Sequence, residues 1–136
     1  MAADTQPSLV VAANRLPVRW DDQTDGWETS PGGLVSALAP FLQDAAGAWV
    51  GWTGQPGDAP ASFVHGQIRQ CPVPRDSDEG ENYYLGFCNG TLWPLYHSLI
   101  RTPEYHRHWW RPYVVVNQRF ADVIAETLAP GGRVWV

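Results

Sequence analysis

Two short stretches of this 136-residue sequence carry residue types suited to holding phosphate. In the first, the apolar run SLVVAAN, residues 8–14, is followed at once by Arg15. An arginine there brings a permanent charge and a planar fork of donors that matches a phosphate group. In the second, Gly32 and Gly33 stand at the head of a helical pattern, PGGLVSALAPFLQDAAG. A helix start exposes unpaired N–H groups and the positive end of the helix dipole. Glycine at that point removes the side chain, so a phosphate oxygen can approach the amides. Taken alone, the pair equally suits a turn with a close helix–strand contact. Its spacing is not the G-x-G-x-x-G of dinucleotide folds, which argues against a nicotinamide site.

The surrounding pattern predicts the elements that would position these residues. SLVVAAN reads as a buried strand of a parallel sheet. RLPVRW and GWETS flank a polar turn and predict a hairpin with its tip near Asp25-Gly26. Leu34, Leu38, Phe41, Leu42 and Ala45 recur at helical spacing, with Ser30 as N-cap, Pro31 at the first helical position and Gly47 as C-terminal cap. Pro40 predicts a kink or break in that helix. AWVGWTG reads as a second buried strand, and DAPASFVHGQIRQCPVP as one or two short strands around His65-Gly66. RDSDEGEN reads as a polar, acidic connection, and its DSDEGE part, residues 76–81, as a solvated loop. YYLGFCNGTLWPLYHSL has helical spacing with breaks at Gly90 and Pro94. Tyr113, Val116, Phe120, Val123, Ile124 and Leu128 form the stripe of a last helix, with Pro112 near its first turns. RVWV begins another strand. This alternation is that of an α/β fold, whose ligands bind beyond the carboxyl ends of the strands. ANRLP and SPGG both fall on that edge.

The totals bound the function classes. Apolar residues make up 44% and charged residues 17%, as in a folded, soluble protein. A net charge of −5 argues against a general binder of nucleic acid or anionic membrane, while leaving room for a local basic pocket. No run approaches the ~18 apolar residues of a membrane span, and no signal peptide is visible, which predicts a cytosolic protein. Cys71 and Cys88 fit no metal spacing and read as free thiols. His106 and His108 lack the further ligands zinc needs, so no metal is expected. His97 reads as a structural hydrogen-bonding residue. Eight tryptophans suit either a core or a pocket that stacks sugar rings or bases, and Trp49, Trp93, Trp109, Trp110 and Trp135 all fit a core.

The blocks VVAANRLPV, PGGLVSAL, WVGWTG and YYLGFCNGTLWPLYH come in one order, with RPYVVVNQRFAD after them. In that order they resemble the amino-terminal part of the retaining glycosyltransferases that make trehalose 6-phosphate. The resemblance runs from Ser8 to Val136. It implies the GT-B fold, two Rossmann-like domains facing each other across a cleft. This chain would then be a flexible stretch over 1–7 and a partial, acceptor-binding amino-terminal domain over 8–136, truncated after a strand start, with the donor domain absent. The implied reaction transfers glucose from UDP-glucose to glucose 6-phosphate with retention, giving trehalose 6-phosphate and UDP. The implied enzyme is cytoplasmic, needs no metal or other cofactor, and admits a homo-oligomer. By resemblance, Arg15 grips the acceptor phosphate, Tyr84 reaches the same phosphate and Trp93 lies beside the acceptor sugar. The amides of Gly32 and Gly33 face the donor diphosphate, and Asn14 and Trp52 are neighbours of the site. The catalytic residues are expected beyond Val136, so the chain alone is expected to be inactive and to expose apolar surface. Two alternatives share these residues. One is a sister enzyme that uses glycerol 3-phosphate and makes glucosylglycerol phosphate. The other is a non-catalytic domain that binds sugar phosphate as a regulator.

Overall fold

A computed structural model describes residues 5–98 and 101–136. Its centre is a five-stranded sheet in the order β5-β6-β4-β1-β7, built from β1 (Leu9–Arg15), β4 (Ala48–Trp52), β5 (Phe63–His65), β6 (Ile68–Pro72) and β7 (Arg133–Trp135). β6, β4, β1 and β7 run parallel, and β5 returns antiparallel to β6 through a turn with positive φ at Gly66 and Gln67. The expected hairpin forms as β2 (Val18–Asp21) and β3 (Gly26–Thr29). Trp27 stacks on Phe63 at 4.7 Å and Thr29 hydrogen-bonds His65, which ties the hairpin to β5.

Alternation along the central strands divides their side chains between two layers. Val10 and Ala12 of β1, with Ala48 and Val50 of β4, meet Phe120, Val123 and Ile124 of α4 (Arg107–Thr127). Val11 and Trp49 point the other way, onto α1 (Gly33–Asp44). Each fully buried valine among them contributes about 1.5–3 kcal/mol.

The α1 helix departs from the expected pattern in four ways. It begins at Gly33 with Gly32 as an uncapped N-cap, and not at Ser30-Pro31. The Ser30 N–H donates to the Pro17 carbonyl and so extends the hairpin. The buried face is Val35, Leu38, Ala39 and Leu42, while Leu34 and Phe41 are exposed. Pro40 does not end the helix; Pro40 and Ser36, whose carbonyl loses its helical donor, are both exposed and open to water. The terminus is a Schellman motif in which Ala46, not Gly47, takes the positive φ. Gly47 is needed for approach, since a Cβ there would stand 2.9 Å from the Leu9 carbonyl oxygen.

The acidic connection is also ordered. Asp76 caps the single turn α2 (Ser77–Glu79) in a reciprocal capping box. Glu79 is 9% exposed and pairs with Arg119 of α4 at 2.5 Å, which holds the Arg119 pKa above its usual value. The next stretch runs without a break at Gly90 as a π-helical segment, Gly80–Leu92, and passes into α3 (Trp93–Tyr96), where Pro94 lies in the first turn. Gly86 and Gly90 form a bed for the Trp109 ring, where a Cβ would meet it at 2.7 and 2.9 Å. This tertiary contact outweighs the helix cost of the two glycines.

Of the expected flexible stretch 1–7, residues 1–4 lie outside the described residues, and Pro7 is buried with its carbonyl accepting from Ala129. Leu99, the last residue of the expected helical stretch ending in LYHSL, also lies outside them. Cys71 and Cys88 are free thiols, and His97 Nδ1 bonds the Trp93 carbonyl. Among the described residues no helix is long and apolar enough to cross a membrane, and no cluster of His, Cys, Asp or Glu is placed to hold a metal ion.

Candidate functional site

The carboxyl ends of β1 and β4 and the start of α1 meet on one edge of the sheet. The register of β1 on β4 shifts between Ala12 and Arg15, and Arg15 still pairs with Trp52. The backbone there is held firmly. Trp49 Nε1 donates to the Arg15 carbonyl at 3.0 Å, and the Leu16 N–H donates to the Trp52 carbonyl at 2.9 Å. Gly51 lets the chains come this close. Gly51→Ala should cost about 1–3 kcal/mol of stability, because its Cβ would stand 2.7 Å from backbone atoms of both Arg15 and Leu16. A urea midpoint reads the loss, and an unmoved midpoint refutes the contact.

The Arg15 side chain is exposed, and its guanidinium lies across Gly54, where a Cβ would stand 2.6 Å from Cζ. Among the described residues no carboxylate pairs with it. It borders an open cleft of about 410 Å³ together with Asn14, Ser30, Pro31, Leu34 and Tyr84. Gly32 and Gly33 follow directly at the head of α1. A Cβ on either would meet nothing within 4 Å; Gly32 is extended, with φ 161° and ψ 149°, and Gly33 opens the helix, so neither sits in the left-handed region. The close helix–strand contact is therefore not their purpose: neither packing nor backbone conformation within this chain calls for glycine. What their missing side chains leave open is the approach to the helix start from outside.

Asn14 also borders a second cleft, of about 240 Å³, shared with Tyr83, Asn117 and Phe120. The tyrosine pair thus splits, Tyr83 toward one cleft and Tyr84 toward the other. Burial pushes the Tyr83 hydroxyl up to about 12, and burial raises the Cys88 thiol beside it, so both are neutral at ordinary pH. Trp52 is half-buried, with Nε1 donating to the Gln55 carbonyl at 2.9 Å. The structure thus brings Asn14, Arg15, Trp52 and Tyr84 together and sets Gly32 and Gly33 beside them. Trp93 lines neither cleft; it sits on α3, 55% exposed, with His97 stacked on it at 3.7 Å. Of the other tryptophans that fit a core, Trp49 is buried, while Trp110 and Trp135 are exposed.

One residue of this edge escaped the reading of the sequence. Arg75 follows β6 and opens the stretch expected as a polar connection, yet it is 1% exposed. Its Cζ stands 3.7 Å from the Trp52 ring centroid, and Arg15 Cζ stands 5.3 Å from the same ring. Tyr83 and Tyr84 flank it at 5.5 and 5.8 Å. Nη1 donates to Asn14 Oδ1 at 2.8 Å, while Nε and Nη2 have no partner. Burial lowers the Arg75 pKa from its usual value, and the charge on Arg15 adds to this; arginine nonetheless keeps its proton in proteins. A signal was present: a cation shortly after a strand, on the same edge as Asn14-Arg15.

A polar edge with uncompensated cations and a bare helix start suits a phosphorylated ligand. Known proteins agree with that chemistry. A trehalose-6-phosphate synthase of Mycolicibacterium smegmatis is 49% identical over 131 residues, covering 94% of this chain and 26% of its own length. A crystal structure of an alpha,alpha-trehalose 6-phosphate synthase from Burkholderia multivorans overlays with a TM-score of 0.75 at 31% identity, covering 97% of this chain and 28% of that one. A UDP-forming alpha,alpha-trehalose-phosphate synthase from Burkholderia xenovorans gives a TM-score of 0.76 at 28% identity, covering 96% and 26%. The chain therefore spans little more than a quarter of the length of these relatives. The sequence profile of glycosyltransferase family 20 matches residues 7–136, and the chain belongs to that family.

Proposed function

We propose that this chain supplies the acceptor-binding part, residues 8–136, of a trehalose-6-phosphate synthase. The full-length protein transfers glucose from UDP-glucose to glucose 6-phosphate with retention and releases UDP. The observation that carries this reading is the exposed, unpaired Arg15 beside a helix start whose two glycines serve no purpose inside the chain. Arg15 and the Tyr84 hydroxyl donate to the acceptor phosphate, with charge-assisted bonds from the guanidinium. Asn14 and Trp52 shape the floor beneath them, and Trp93 stands toward the acceptor sugar once the remaining protein closes the site. The Gly32 and Gly33 amides face the donor diphosphate. As the bond from the glucose anomeric carbon to UDP breaks, negative charge gathers on the leaving phosphate. Preorganised N–H groups stabilise it without reorganisation. The new bond forms from the acceptor's anomeric hydroxyl on the same face, and that hydroxyl's proton leaves with UDP. The catalytic groups completing this step lie beyond Val136, and the enzyme works in the cytoplasm without a metal or other cofactor.

The test is turnover by the full-length protein with UDP-glucose and either glucose 6-phosphate or glycerol 3-phosphate. Trehalose 6-phosphate and UDP, formed only with the first acceptor, are the expected products. Turnover only with glycerol 3-phosphate would reassign the acceptor. Sugar-phosphate binding without turnover would make the protein a regulator.

A further inference from the structure

Arg75 has no part in the function as proposed so far, yet its placement is costly. A guanidinium that is 1% exposed has no carboxylate partner among the described residues, and two of its nitrogens bond nothing. The neighbouring hydroxyl and thiol, Tyr83 and Cys88, are neutral and bring no counter-charge. Buried cations without a counter-charge are rare in proteins unless something else compensates them. The rings of Trp52, Tyr83 and Tyr84 supply part of that compensation. The remainder is positive potential directed toward the edge where Arg15 stands over the same Trp52 ring.

Asn14, the residue before Arg15 in the chain, accepts from Arg75. Its Oδ1 is taken by Arg75 Nη1 at 2.8 Å, so its Nδ2 carries the donors left for the clefts it borders. A free asparagine could offer an anion either its oxygen, which repels, or its amide N–H groups, which attract. Arg75 removes the first choice.

We propose that Arg75 is a positioning residue of the acceptor-phosphate site, a buried second cation that fixes Asn14 as a hydrogen-bond donor and adds its charge behind Arg15. The ligand class this selects is a phosphate dianion. The inference rests on the acceptor site proposed above.

Affinities of the full-length protein for glucose 6-phosphate and for UDP-glucose, measured by calorimetry, test it. Arg75→Met keeps the length of the stem without the charge, and Arg75→Lys keeps the charge without the fork. Arg75→Met should weaken glucose 6-phosphate about 10-fold, the scale of one partly screened charge at this range, and leave UDP-glucose within about twofold. Arg75→Lys should recover glucose 6-phosphate affinity to within about threefold of wild type. A merely structural arginine would weaken both ligands together with no rescue by lysine, and that result overturns the proposal. Arg15→Ala separates the two readings. If it weakens glucose 6-phosphate while Arg75→Met matches wild type, the role of Arg75 is wrong and the acceptor site stands. If wild type does not bind glucose 6-phosphate, or if both variants match it, the acceptor reading fails and the role of Arg75 fails with it.

Discussion

Replacing Arg15 with alanine in the full-length protein should raise the KM for glucose 6-phosphate roughly 10- to 100-fold, with the KM for UDP-glucose little changed. The size follows from hydrogen bonds to a charged group, about 1.5–3 kcal/mol, converted at about 1.4 kcal/mol per tenfold. The stability cost should be small, because the side chain is exposed and pairs with no carboxylate among the described residues. What fixes its place is backbone: the Trp49 indole on the Arg15 carbonyl and the Trp52 carbonyl on the next N–H. Alanine keeps both. The loss therefore reports phosphate contact and not folding. Steady-state kinetics with both substrates varied measure it, and an unchanged acceptor KM would remove Arg15 from the site.

The position of Arg15 at the end of a parallel strand was legible in the sequence because local pattern sufficed. An apolar run ends, a cation follows, and in an α/β fold that junction lies on the ligand edge. The hairpin tip at Asp25-Gly26 was legible from the polar turn between two short runs, and the stripe from Val116 to Leu128 from its helical period. Arg75 was not. Its acidic neighbours suggest a solvated turn, and its burial is set by Asn14, 61 residues earlier, and by the Trp52 ring. Glu79 is buried by Arg119, 40 residues later. The buried face of α1 shows the same limit. Two overlapping apolar stripes fit one helix, and the sheet chose Val35, Leu38, Ala39 and Leu42 over Leu34 and Phe41. Only packing against Val11 and Trp49 could decide between them.

The glycine pair at the start of α1 makes the sharpest test of the donor side. Gly33→Val should lower kcat/KM for UDP-glucose by roughly 100- to 1,000-fold, the scale of losing one preorganised donor to a developing oxyanion. The KM for glucose 6-phosphate should stay near wild type, since Arg15 and Tyr84 are untouched. The variant should fold. A Cβ at Gly33 meets nothing within 4 Å, its φ is not positive, and the position is exposed. Valine's lower helix propensity relative to alanine is worth only about 0.5 kcal/mol, and glycine is itself a poorer helix former. Locally, then, the substitution is neutral or favourable, and any large loss must come from what the side chain keeps out. Thermal unfolding beside donor kinetics separates the outcomes. A preserved midpoint with collapsed donor turnover places a diphosphate against these amides. A preserved midpoint with normal donor turnover leaves the two glycines without a ligand and removes them from the site.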